Sequence, residues 1–272
     1  MEKGYQDLTV EEVQQFMHDT REQNYQLVDV RQPEEYTEEH LAGAILIPVG
    51  EISDRLSELS PDKATIFYCQ SGKRSTAASV FAATNPGFTG AIYNVLGGMC
   101  EWDGEIVPDM PNIKVFDLSG SEEALLYQAM NLEKGAHRFY QLVLDHFSEG
   151  PFTPVMEELV TAEEKHAKMI YEFWKKYQND APSFEDVYAD LPGDILEGGQ
   201  DFDALTARLK EADTQCQDII DMAILIEFSA YDLYRTMAHM HKGTDMEKPF
   251  MTLSQSEKDH MRIAAEAFAL CR

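Results

Sequence analysis

The stretch AMNLEKGAHRFY, residues 129–140, recurs as AILIEFSAYDLY at residues 223–234, 94 positions further along the chain. Both copies carry Ala first, Glu fifth, Ala eighth and Tyr last. Two Glu-x-x-His elements follow at the same offset of 94: Glu163–His166 in AEEKH and Glu257–His260 in SEKDH. A chance match to one motif would not keep a common offset across two pairs of segments, so this part of the chain reads as a duplicated helix pair. Residues at i and i+3 share a helix face. Glu163 and His166 can therefore address one point, and so can Glu257 and His260. A short loop around Gly150-Pro151 closes the first pair into an antiparallel hairpin. The segment from Asn179 to Gly199 holds Pro182, Pro192, Gly193, Gly198 and Gly199, too many breakers for one helix, and reads as the long crossing to the second hairpin.

The resulting core gathers Glu133, Glu163, Glu227, Glu257, His166 and His260, the donor set of a di-metal carboxylate bundle. Four buried carboxylates without cations would be prohibitively costly to desolvate. Two divalent ions neutralise them, and oxygen and imidazole donors with open positions suit iron or manganese. Residues 117–272 resemble the ferritin-like, rubrerythrin-related diiron family. The resemblance implies a four-helix bundle with two iron ions (manganese the alternative), bridged by Glu163 and Glu257. It makes Glu133 and Glu227 terminal carboxylates and gives each metal one histidine, His166 or His260. Tyr140 and Tyr234 lie seven residues after their glutamates on the same face, placed either to hydrogen-bond the ligands or to pack the core. His137, four after Glu133, is a weaker inward candidate. Where rubrerythrins carry a further glutamate one turn past the third-helix ligand, this chain has Ala230.

The preceding residues have a different texture. QLVDV (26–30), TIFYC (65–69) and IYNVLGG (92–98) are short apolar runs of β-formers, and VEEVQQFMHD, SDRLSELS and TAASVFAAT read as helices around them. Alternating strands and helices imply an α/β doubly wound parallel sheet. No periodicity runs from Pro108 through Pro111 to Asp117, so the boundary falls there: one domain over 1–110, an all-α one over 117–272. Ser119-Gly-Ser-Glu122 reads as a capping box opening the helical part. Helices resume near Asp203 and run to the end, broken by Gly243 and Pro249.

CQSGKRS (69–75) falls between a buried strand and a helix. Cys69 ends the strand, Gln70, Ser71 and Gly72 wrap a loop, and Ser75-Thr76 open the helix. A thiolate there meets inward amides, a helix N-terminus and the cations Lys73 and Arg74, all of which favour the anion. The same cradle, Gln70 to Ser75, suits a small anionic sulfur donor such as thiosulfate. Cys69 and Arg74 are one residue closer than in cysteine phosphatases, and a tighter loop fits sulfur better than phosphate. Together with DVRQPEEYTEEHLAGAILIP (29–48) and LGGMCEWDG (96–104), this loop is similar to single-domain rhodaneses across residues 5–108. That resemblance implies a persulfide carried on Cys69 and a structural Asp29–Arg31 pair beside the site.

The net charge of −27 argues against nucleic acid or an anionic membrane as the main partner. The N-terminus has no apolar core of a secretory signal, and no run of about 18 apolar residues exists to span a membrane. Cys69, Cys100, Cys216 and Cys271 form no CxxC pair, and wide spacing without a signal fits a reducing cytoplasm better than a disulfide framework. The last three are expected as buried small hydrophobes or idle thiols, with Cys100, after the GGM turn, a candidate resolving thiol. The expected function is a sulfurtransferase fused to a diiron oxidoreductase of sulfur or oxidative-stress metabolism. The alternative is an iron-binding or sensing protein whose first domain delivers sulfur to a partner. The sulfur acceptor and the electron donor are not specified by sequence; bundles of this kind often form homodimers.

Overall fold

Five strands, β1 (Gln6–Leu8), β2 (Tyr25–Asp29), β3 (Ala44–Leu46), β4 (Ala64–Tyr68) and β5 (Ile92–Val95), form one parallel sheet in the order β1-β5-β4-β2-β3. They belong to a computed structural model that describes residues 4–147, 150–211 and 214–271 and divides into two units, Met1–Met110 and Pro111–Arg272. The inner strands β2 and β4 are covered on both faces, which is why their sequences are nearly unbroken apolar runs. Alternation distributes them between two cores: Tyr25, Leu27, Ile66 and Tyr68 on one face, Val28, Phe67 and Cys69 on the other. Both edge strands are three residues long, too short to carry a periodic signal, and the sequence reading missed them.

Four helices connect the strands: α1 (Val10–Asp19), α2 (Pro33–Glu38), α3 (Ile52–Arg55) and α4 (Lys73–Ala83). Thr9 and Glu12 close a capping box on α1. Chain crossings of this kind put the loops after β2 and β4 at one end of the sheet, where sites of open α/β folds lie. Asp29 closes β2 and Cys69 follows β4 there.

The second unit is helical: α5 (Glu122–His146), α6 (Thr153–Trp174), α7 (Phe184–Asp190), α8 (Phe202–Leu209), α9 (Cys216–Met240) and α10 (Glu247–Ala267). The long helices pack pairwise, α5 on α6 and α9 on α10, around two apolar clusters. The cap of α5 is Ser121, whose hydroxyl accepts from the Ala124 amide; Ser119, read as the cap, instead bonds Asp117. Pro249 does not break the last helix. It sits in the first turn of α10, where a missing N–H costs nothing. The Pro/Gly crossing contains α7, a helix the reading did not foresee.

The expectation of free thiols fails at two positions. Cys216 and Cys271 are joined by a disulfide, with Cα atoms 5.5 Å apart and 55 residues between them in sequence. The antiparallel return of α9 and α10 brings the end of the chain back to the start of α9, a closure no local spacing reveals. In the chain-entropy picture such a loop is worth about 4 kcal/mol.

Gly135, in mid-α5, has a tertiary cause. A Cβ there would collide with the carbonyl oxygen of Ile195 in the crossing. Gly135→Ala is therefore expected to destabilise the fold by about 1–3 kcal/mol, against the ordinary helix-interior gain of about 1 kcal/mol. Urea unfolding reads the sign directly.

Candidate active site and metal centre

Cys69 is buried between β4 and α4, and the loop that follows wraps its sulfur. Gly72 caps α4 with φ of 84°, a left-handed conformation that lets residues 70–74 turn back on themselves. The Sγ accepts from the Ser75 amide at 3.5 Å and the Ser75 hydroxyl at 3.4 Å. Burial pushes the thiol up, but the Ser75 hydroxyl and the amides of Ser75, Ser71 and Arg74 outweigh it, and the net shift is below the ordinary thiol value. The Leu96–Cys100 turn seals the loop from beneath. Met99 donates to the Cys69 carbonyl at 3.0 Å and Cys100 to that of Gln70 at 2.9 Å. Gly98 is needed because a Cβ would strike the Cys69 carbonyl.

The cations are arranged differently from the simple cradle. Lys73 is exposed. Arg74 makes a bidentate pair with Glu35 of α2, at 2.6 and 2.7 Å. That bond holds the Glu35 carboxyl down at about 2, and it raises the Arg74 guanidinium, which also feels Cys69. Glu35 was not read as a site residue; its place three residues after Gln32, closing a capping box, was the available signal. Arg31 and Asp29 form a fully buried pair at 2.8 Å, and Arg31 further donates to Gln70 at 3.3 Å and the Glu39 carbonyl at 2.6 Å. The pair therefore ties the β2 end to the cysteine loop. The Cys100 sulfur is exposed and lies 3.6 Å from the Gln70 amide.

In the helical unit, Glu133 of α5, Glu163 and His166 of α6, Glu227 of α9, and Glu257 and His260 of α10 are all buried and point to one centre. His166 Nδ1 lies 3.0 Å from Glu133, 3.4 Å from Glu163 and 3.0 Å from Glu257. His260 Nδ1 lies 3.3 Å from Glu227, 3.4 Å from Glu257 and 3.7 Å from Glu163. Each histidine thus faces one private glutamate, while Glu163 and Glu257 face both. The imidazoles stack at 4.8 Å. Tyr140 donates to Glu227 and Tyr234 to Glu133, so each tyrosine bonds the glutamate of the other repeat. His137 stays outside, edge-on to Tyr188. Ala230 is buried among apolar side chains.

Charge is unbalanced here. Burial, with the charge of Glu257, pushes Glu163 well above the carboxylate range, and burial lifts Glu227 to about 7. Burial opposes the His260 cation, but Glu227 and Glu257 carry it to about 11. One oxygen each of Glu163, Glu227 and Glu257, and His260 Nδ1, have no hydrogen-bond partner. Oxygen and imidazole donors crowded within 3.0–3.7 Å of one another, with several of their atoms unpaired, fit divalent cations better than they fit one another. An open cleft of about 600 Å3 between α6 and α10, lined by Thr161, Lys165, Ser256 and Asp259 among others, reaches both histidines.

A carboxylate absent from the sequence reading joins this set. Glu197, from the crossing, is buried with one oxygen unpaired and lies with Glu133 and Glu163 in a group whose donor atoms are all within 4.8 Å of one another.

The central strand of the parallel sheet thus delivers Cys69 into an amide-lined loop. The rhodanese-like domain model matches residues 9–105, and through this unit the chain belongs to the rhodanese-like family. The chain is 41% identical over 81 residues to the uncharacterized protein YqhL of Bacillus subtilis, covering 30% of this chain and 63% of that one. It is 34% identical over 76 residues to a sulfurtransferase of Allochromatium vinosum, covering 28% of this chain and 69% of that one. It is 43% identical over 53 residues to the thiosulfate sulfurtransferase PspE of Escherichia coli, covering 19% and 51% respectively. The chain thus spans less than two thirds of YqhL and about half of PspE. Beyond the rhodanese-like unit the rest of the chain is helical, and among the described residues no helix is long and apolar enough to cross a membrane.

Proposed function

We propose that the first unit carries sulfane sulfur on Cys69, taken from thiosulfate or a similar anionic donor, and that residues 117–272 form a ferritin-like four-helix bundle holding two iron ions for redox chemistry. The observation that supports the first part most is the buried Cys69 thiol ringed by donors that lower its pKa. The names of the relatives from Allochromatium and Escherichia are consistent with it.

The step balances simply. The Cys69 thiolate attacks the outer sulfur of thiosulfate, a new S–S bond forms, the S–S bond of thiosulfate breaks, and sulfite leaves with the electron pair. The persulfide anion then occupies the amide ring that held the thiolate. Cyanide, as acceptor, removes the sulfur as thiocyanate and restores the thiolate. Lys73 supplies positive potential at the loop mouth for the dianionic donor, to which Arg74, largely compensated by Glu35, adds little.

The thiolate is the nucleophile, so the rate constant for persulfide formation should fall as pH drops through the folded-state pKa of Cys69. That inflection is expected below the usual thiol range, because the amide and hydroxyl donors favour the anion. A rate–pH profile whose inflection sits at or above the ordinary value would contradict the role given to Ser75.

For the second unit, the supporting observation is that two histidines and four buried glutamates converge with unpaired donor atoms. His166 and Glu133 would hold one metal, His260 and Glu227 the other, and Glu163 and Glu257 would serve both. Iron bound there would supply one-electron chemistry. Tyr140 and Tyr234 fix the orientation of Glu227 and Glu133 through their remaining oxygens. The cleft reaching His166 and His260 favours a redox site open to a small oxidant over closed storage. Anaerobic reconstitution with ferrous iron should give two ions per chain; content near zero would overturn this half of the proposal and leave the sulfur chemistry standing.

A further inference from the structure

The six residues obey the internal duplication; Glu197 does not. It sits in the crossing between α7 and α8, with no counterpart in the repeat. The chain takes some trouble to place it. On α5, Asn131 accepts from the Gly193 amide at 2.7 Å, and Arg138 donates to the carbonyls of Pro192 and Gly193, each at 2.6 Å. Residues 195–201 then form a tight turn: Leu196 donates to the Gln200 carbonyl at 3.0 Å, Gly199 to that of Leu196 at 2.8 Å, and Ile195 bridges Asp201. Gly199, at φ of 77°, makes the reversal, and Gly135 lets the turn descend against the helix backbone. Leu196 plugs the apolar core, which by itself accounts for a buried turn. It does not account for the next residue.

Glu197 is 2% exposed and points among carboxylates, with one oxygen unbonded. The carboxylates it is grouped with are Glu133 and Glu163. Burying a charged carboxylate against two others is among the least favourable arrangements a turn could adopt, unless the group takes up a proton or a cation lies between them. A leucine or an outward-turned glutamate would remove the cost.

We propose that Glu197 is a seventh protein ligand, delivered by the crossing to the metal position served by Glu133 and His166. This rests on the reading of the six residues as a dimetal site and makes its two positions chemically unequal. The Glu133 position holds an extra anionic donor and binds its ion more tightly; the Glu227 position keeps the duplicated set alone. The asymmetry also gives the two ions different charge environments, although the sequence repeat would make them alike.

The experiment is a titration of metal-free full-length protein with cobalt(II), following visible absorption and bound stoichiometry, on the parent, E197Q and E197D. The parent should fill two sites in distinguishable steps. In E197Q the tighter step should weaken by about 10–100-fold, the scale on which donors around a metal site act, while the weaker step stays put. The change should also alter the cobalt spectrum of one ion only. E197D, which keeps the charge on a shorter arm, should fall between the two and guards against misreading a misfolded glutamine variant. Parent-like affinities and spectrum in folded E197Q would overturn the seventh ligand while leaving the six-residue site intact. A parent that binds no cobalt would overturn both, so the two failures are told apart.

Discussion

A Cys69→Ser variant is expected to lose transfer of sulfur from thiosulfate to cyanide by on the order of a thousandfold or more, with the fold unchanged. The substitution is nearly isosteric, and the site is fixed by backbone: the Met99 and Cys100 amides grip the loop carbonyls, and neither bond involves the cysteine side chain. What changes is chemistry. A serine hydroxyl keeps its proton at neutral pH despite the donors from Ser75, Ser71 and Arg74, and it cannot hold sulfane sulfur as a persulfide. Thiocyanate formation, followed with thiosulfate and cyanide, measures the loss. Retention of parent activity would remove Cys69 from the mechanism. The exposed Cys100 is the internal comparison: its replacement should leave this transfer near the parental rate.

The second large effect belongs to the helical unit. Replacing Glu163 and Glu257 together by alanine is expected to reduce bound iron from two per chain to near zero, because these two carboxylates alone face both histidines. The same variant should keep its thiosulfate chemistry, since the rhodanese-like unit has its own apolar cores. A role in packing alone predicts metal content unchanged. Added metal should stabilise the parent by about 2.7 kcal/mol for each site filled at a hundredfold excess over its dissociation constant, and the variant not at all. Thermal unfolding with and without ferrous iron separates these outcomes.

Much of both sites was legible because its signals are local or repeated. The i, i+3 spacing of Glu163 and His166 dictates a shared helix face, and the offset of 94 assigned them a twin pair without any knowledge of packing. The cysteine loop was legible for the same reason, since Cys69 to Ser75 is one contiguous turn between a strand and a helix. What escaped depends on closure at long range. Glu35 meets Arg74 from 39 residues away, and nothing in PEEY distinguishes that glutamate from a helix-capping one. Glu197 lies where no periodicity exists, in a stretch whose glycines and prolines announce only a loop. The edge strands β1 and β3 are too short to alternate. The crossed pairing of Tyr140 with Glu227 and Tyr234 with Glu133 could not be told from self-pairing, because both tyrosines sit at the same register on their helices.

The bond between Cys216 and Cys271 gives the second hairpin the topology of a closed ring. α9 leaves one side of it, the exposed turn around Gly243 forms the far bend, and α10 returns to the start. Glu227, Glu257 and His260 are thus strung on a strip of chain with no loose end inside it. A protease that cuts at the bend opens the ring but does not part its halves, and a reductant that opens the bond leaves the bend intact. Half of the donor set is therefore behind two locks of different chemistry, peptide and thiol, and only when both are undone can α10 leave carrying its glutamate and histidine with it.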